Sequence, residues 1–124
     1  MTPPPDGIFA LPIFHKHYRF FIALRNAVGT FPKPDRYSLG VRLENTALEI
    51  LTLLLRANAA RGLERLTQLR EASLSLDLLK ILVRLAKDVK ALPDKTYLAL
   101  EARLIEIGKM LGGWLKSVSN TNRP

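Results

Sequence analysis

Between Leu74 and Leu92 the sequence LSLDLLKILVRLAKDVKAL is apolar on two sides at once. At about 100° per residue, Leu74, Leu78, Ile81, Leu82, Leu85, Val89 and Leu92 fall on one stripe of a helix. Leu76, Leu79, Val83 and Ala86 form a second stripe nearly opposite, and Asp77, Lys80, Arg84, Lys87 and Asp88 share the narrow polar wedge that remains. A surface helix buries one stripe. Two stripes call for a core on one side and a partner on the other, because a chain of 124 residues has too few other helices to surround this one. The expected arrangement is a homo-oligomer in which Leu76, Leu79 and Val83 face the partner.

The rest of the chain reads as helices of similar kind. Apolar positions Phe14, Tyr18, Phe21, Ile22, Leu24 and Val28 recur at helical spacing, with Gly29 placed to end a first helix. Phe31-Pro32-Lys33-Pro34 excludes helix and leads to Asp35 or Ser38 as the cap of a second, which runs to about Ala60 on Leu39, Leu43, Ala47, Ile50 and Leu54. Gly62 fits its stop. A third helix from near Leu63 to before Pro93 spans about 42 Å at 1.5 Å per residue. Asp94 then caps a fourth, carrying Tyr97, Leu100, Leu104, Ile107, Leu111, Trp114 and Val118. Short links force neighbours antiparallel, so the expected fold is all-α, an up-down-up-down four-helix bundle over residues 13–118. Residues 1–12, with four prolines, are expected to be a flexible arm that cannot hold a helix, and residues 119–124 a polar tail.

Gly108, Gly112 and Gly113 lie inside the fourth helix, where each costs roughly 1 kcal/mol relative to Ala. Close helix packing beside Trp114 is the expected return. The composition excludes several functions. With no cysteine there is neither a disulfide nor a thiolate metal site, and a reducing, cytoplasmic setting fits. No apolar run reaches the roughly 20 residues of a membrane span, and the start MTPPPDG has no positive leader. His15 and His17 are two apart and diverge on a helix, a poor metal pair. Neither a nucleophile–base pair, a Glu-x-x-His pattern nor a phosphate-binding glycine loop is present, so neither catalytic residue, metal nor cofactor is expected. Glu106 is expected to pair with Lys109, and Asp77 with Lys80, as helix-surface ion pairs.

What remains is charge. Nineteen Lys and Arg against eleven Asp and Glu give +8, which favours polyanionic partners and is multiplied by oligomerisation. Lys80, Arg84 and Lys87 rise from one strip about two turns long. Arg25, Arg42 and Arg103 stand on the other helices as further candidates for nucleic-acid or partner contact.

The segments FPKPDRYSLGVRLEN, LLKILVRLAKDVKAL and EIGKMLGGWLK, in this order and over about Tyr18 to Lys116, resemble the accessory variability determinant proteins of diversity-generating retroelements. These belong to a wider four-helix-bundle family that includes proteins encoded in intervening sequences of 23S rRNA genes. The resemblance implies a homopentameric barrel without a catalytic site, whose basic surface binds a reverse transcriptase and its template RNA; the positive charge itself extends the expected ligands to DNA. It supports mutagenic copying of a template repeat into a target gene. Lys80 and Arg84 match basic positions of the family's third helix, Lys80 standing where some members carry arginine. A purely structural homo-oligomer of the rRNA-intervening-sequence type is the alternative that the same resemblance leaves open.

Overall fold

The computed structural model describes residues 6–121. Four long helices make up almost all of it: α1 (Pro12–Val28), α2 (Val41–Ala59), α3 (Gly62–Asp88) and α4 (Asp94–Thr121), and there is no strand among the described residues. Each helix packs on the next and α1 closes against α4, which gives the four-helix bundle. None of these helices is long and apolar enough to cross a membrane.

The core stripes explain why the helices sit as they do. Leu43, Ala47, Ile50 and Leu54 of α2 are fully buried, and so are Leu100, Leu104, Ile107 and Leu111 of α4. On α1 the buried face is Ile13, Phe14, His17, Phe20, Leu24 and Val28, which leaves Tyr18 and Ile22 at the surface instead of in the core. On α3 both stripes exist, but their burial within the monomer is the reverse of that expectation. Leu76, Leu79 and Val83, expected to meet a partner, are 2%, 0% and 1% exposed inside the monomer together with Leu66, Leu69, Ala72 and Ala86. The stripe of Leu74, Leu78, Ile81, Leu85 and Val89 is the one left outside, with Leu74 at 72% and Ile81 at 64%. The physical reason is continuity: the Leu76 stripe extends upstream through Leu69 and Leu66, whereas the Leu74 stripe is preceded by Thr67, Arg70 and Glu71.

The helix ends also differ from expectation. Gly29 keeps a right-handed φ of −60°, and α1 stops because the prolines follow. The chain re-enters helix early, at Lys33–Asp35, since Pro34 is well tolerated in a first turn. A π-type turn over Arg36–Gly40 then leads into α2. Neither Asp35 nor Ser38 caps a helix; the Ser38 hydroxyl donates instead to the Pro34 carbonyl at 2.8 Å. Two arginines reach back to the open carbonyls. Arg36 Nη2 donates to Gly29 O and Phe31 O (3.0 and 3.3 Å), closing α1. Arg65 Nε donates to Ala57 O and Ala60 O (both 2.9 Å) and its Nη2 to Asn58 O (3.3 Å), closing α2. Gly62 supplies the positive φ, 59°, in that corner.

Helix α3 ends earlier than Pro93 suggests. Lys90 takes φ 66°, its N–H bonds to Lys87 O, and the Ala91 N–H bonds to Ala86 O, a Schellman closure with lysine in the usual glycine place. Of the expected arm, Met1–Pro5 lie outside the described residues. Asp6–Phe9 form one helical turn, which starts only after the last of the three clustered prolines. The Phe9 ring stands edge-on to Tyr18 with centroids 5.3 Å apart. At the other end α4 continues through Thr121, into the stretch expected to be tail.

Candidate nucleic-acid interface

The cationic strip of α3 lies along its junction with α4. Lys80 and Lys87 are half-buried and Arg84 is exposed. Each is held differently. A Cβ on Gly108 would come within 3.3 Å of the Lys80 ammonium, so that glycine leaves the space the lysine head occupies. Arg84 Nε lies 3.3 Å from Asp88 Oδ1, one turn on, and the carboxylate's hydrogen bond and charge hold its guanidinium above its ordinary, already high pKa. The Lys87 ammonium sits 5.0 Å from the centroid of the Tyr97 ring on α4, within cation–π range. The Tyr97 hydroxyl donates to Glu101 Oε2, and that bond raises its pKa, because only the neutral phenol can donate. Three cations are therefore aligned in one strip and backed by an aromatic ring, with Lys80 and Lys87 in no ion pair among the described residues.

The other sequence candidates are dispersed. Arg25 on α1 is exposed and reaches Glu44 of α2 at 3.9 Å. Arg42 opens α2 and Arg103 lies on α4, both exposed. The first two belong to the α1–α2 pair of the bundle, the strip to the α3–α4 pair. Nor do the expected helix-surface pairs form among the described residues: Glu106 Oε1 is bound by Lys16 Nζ at 3.1 Å, which ties α1 to α4 and leaves Lys109 without it.

The packing glycines divide. Gly108 faces α3, with Leu76 Cδ2 at 3.7 Å from its would-be Cβ, as close packing requires. Gly112 and Gly113 do not, since a Cβ on either meets nothing within 4 Å. Their space is open, and Trp114 beside them is only half-buried. The glycine that close packing does demand is Gly40, where a Cβ would lie 2.6 Å from Val28 Cγ1. Its sequence signal was available in the short spacing between the two helices it joins, but no periodicity marks it.

His17 and His15 diverge, His15 to solvent and His17 into the core. His17 Nε2 donates to Ala47 O at 2.7 Å, its Nδ1 has no partner, and burial pushes its pKa down. A second concave feature lies at the far end of the bundle, a cleft of about 460 Å³ between the start of α1, the α2–α3 corner and α4. Leu11, Met110, Gly113 and Trp114 line it together with Arg65 and Lys109. Sequence reading missed it; the one mark was a helical glycine next to the single tryptophan.

No curated protein matches the chain. A family model described as bAvd-like matches residues 13–118, a span that starts one residue into α1 and takes in all of the strip, and the chain belongs to that bAvd-like family.

Proposed function

We propose that the protein is a non-catalytic accessory subunit of a diversity-generating retroelement, working in the cytoplasm, that binds template RNA and the cognate reverse transcriptase during mutagenic copying. The observation that carries this reading is the family match over residues 13–118. Two features of the surface support it. The strip of Lys80, Arg84 and Lys87 offers cations at helical spacing to a phosphate backbone, and Arg25, Arg42 and Arg103 add to the positive field. The exposed α3 row of Leu74, Leu78, Ile81, Leu85 and Val89 is a continuous line of large apolar side chains in water, the kind of surface that marks a protein contact. In this reading that row, in place of Leu76, Leu79 and Val83, is what packs in a homopentamer.

The test is purification of the chain together with a cognate retroelement reverse transcriptase. Copurification is expected, at a mass several times 13.9 kDa for the accessory protein alone by light scattering. RNA binding should weaken with salt along a slope of about 0.7 per single-strand phosphate contacted. Changing Lys80, Arg84 and Lys87 together to Glu keeps the helix, because Glu is also a good helix former and none of the three is in the core. RNA binding should collapse. A triple variant that retained its affinity and salt slope would remove the strip from the proposal, and a monomeric chain indifferent to the polymerase would remove the accessory role.

A further inference from the structure

The cleft at the far end of the bundle has a chemistry of its own, although its Lys109 also borders the groove that holds Lys80 of the strip. Its walls are mostly apolar: Leu11 comes from the approach to α1, Met110 and Trp114 from α4, and Gly113 leaves its floor open because a Cβ there would meet nothing. At about 460 Å³ it is within the range of sites that hold a bulky side chain together with its neighbours.

Two cations stand on this apolar wall, and no Asp or Glu among the described residues lines it. Arg65 is fixed in place by the three carbonyls at the end of α2, which take its Nε and Nη2 but leave its charge without a carboxylate. Lys109 would find an acid one turn back in Glu106, yet Glu106 is bound to Lys16. A positive charge held beside apolar surface is poorly solvated on that side, and an incoming carboxylate gains accordingly.

We propose that this cleft binds a short acidic segment of a partner protein, which inserts a bulky apolar side chain against Trp114 and sets a carboxylate on Lys109 and Arg65. Charge selects this occupant over the others. Two cations on an apolar wall complement an anion carried beside a bulky apolar group, which Met1–Pro5, without an acid, do not offer.

Trp114 is the single tryptophan, so its emission reports on the cleft directly. The probe is a synthetic peptide, Asp-Glu-Phe-Leu-Asp-Glu, which has no tryptophan, titrated into the full-length protein at about 0.15 M salt, where charges more than about 8 Å apart are screened. Emission should shift to the blue and saturate. A peptide with Lys for every acid, and one with Ser for Phe and Leu, should each bind at least tenfold more weakly. Lys109→Glu and Gly113→Leu should each lose at least tenfold, whereas Arg70→Glu, an equal charge change on α3 outside the cleft, should leave the titration unmoved. An emission that ignores the acidic peptide overturns the proposal, as does equal affinity for either control peptide or an unchanged Lys109→Glu. A blue shift driven by protein concentration alone assigns the cleft to a second copy and also overturns it.

Discussion

Gly40→Ala tests whether the junction of α1 and α2 is as tight as it looks. The added methyl would lie 2.6 Å from Val28 Cγ1, about 1 Å inside the separation at which two carbons rest comfortably. Val28 has little room to yield. It is 3% exposed, and a β-branched side chain in a helix has essentially one χ1 rotamer. The backbone fixes where the methyl sits, and its other neighbours, Asp35 O and Phe31 Cδ2 at 3.5 and 3.8 Å, are in ordinary contact, so the Val28 clash alone sets the cost. The junction itself must move, at a cost typical of overpacking, about 1 to 3 kcal/mol. Against this, Ala is a better helix residue than Gly by roughly 1 kcal/mol. The expected net loss is up to about 2 kcal/mol, read by urea or thermal unfolding as a fall in Tm of roughly 4 °C per kcal/mol at this chain size. Val28→Ala removes the clashing methyl group, so the double variant should lose less than the two single losses added together, and that coupling isolates the contact. A Gly40→Ala protein more stable than the parent, or additive losses in the double variant, would refute the reasoning.

Gly112→Ala should do the opposite, raising Tm by the helix-propensity gain of up to about 1 kcal/mol, since its Cβ meets nothing; a lower Tm would mean that something unseen packs there. His17 is neutral in the fold and its pKa is pushed below the ordinary 6.5. The unfolded chain therefore binds more protons in acid, and stability present above pH 6.5 should be lost as the pH falls through that value, by up to about 1.4 kcal/mol per unit. Unfolding curves of His17→Gln between pH 7 and 5 should be flatter by that one proton. Lys90→Gly should stabilise α3's end by about 1 kcal/mol, because lysine at φ 66° bears a steric cost that glycine does not; calorimetry showing no gain would place the closure elsewhere.

The four helices were legible because each carries an unbroken 3.6-residue apolar period, and loops of a few residues allow only antiparallel neighbours. Which side of α3 faces inward was not read from Leu74–Leu92 alone, since periodicity locates a stripe without saying what covers it. The deciding residues lie upstream, where Leu66, Leu69 and Ala72 continue one stripe and Thr67, Arg70 and Glu71 interrupt the other. Two of the three interior glycines of α4 were misread for a related reason. Propensity says that Gly112 and Gly113 are costly, but only the position of a would-be Cβ tells whether their space within the chain is filled, and of the expected three it bears out Gly108 alone, adding Gly40. The strip on α3 was legible, being local to one helix. Arg36 and Arg65 as closures of helices, and the cleft beside Trp114, depend on residues brought together by the bundle, which no spacing in the sequence encodes.

The corrected face of α3 changes how assembly and nucleic-acid binding relate. At about 100° per residue the exposed apolar row and the cationic strip are centred roughly 135° apart around the helix, with Asp77 and Asp88 between them. Had Leu76, Leu79 and Val83 been the partner face, the strip next to them along the α4 junction would have been drawn toward the interface, where desolvation penalises unpaired charge. In the proposed assembly the Leu74 row is buried instead and the strip stays open, with Asp88 on the interface side of Arg84, between that cation and the neighbouring copy. Each copy added would then contribute its own strip to the same outer surface, and a phosphate backbone long enough to cross two of them would bind the second at high effective concentration. Assembly and affinity for long RNA should therefore be coupled through geometry alone. Ile81→Lys, which charges the centre of the row without touching the strip, should dissociate the assembly and weaken long RNA far more than an oligonucleotide short enough to reach a single strip; equal losses for both lengths would place the row and the strip on one shared site.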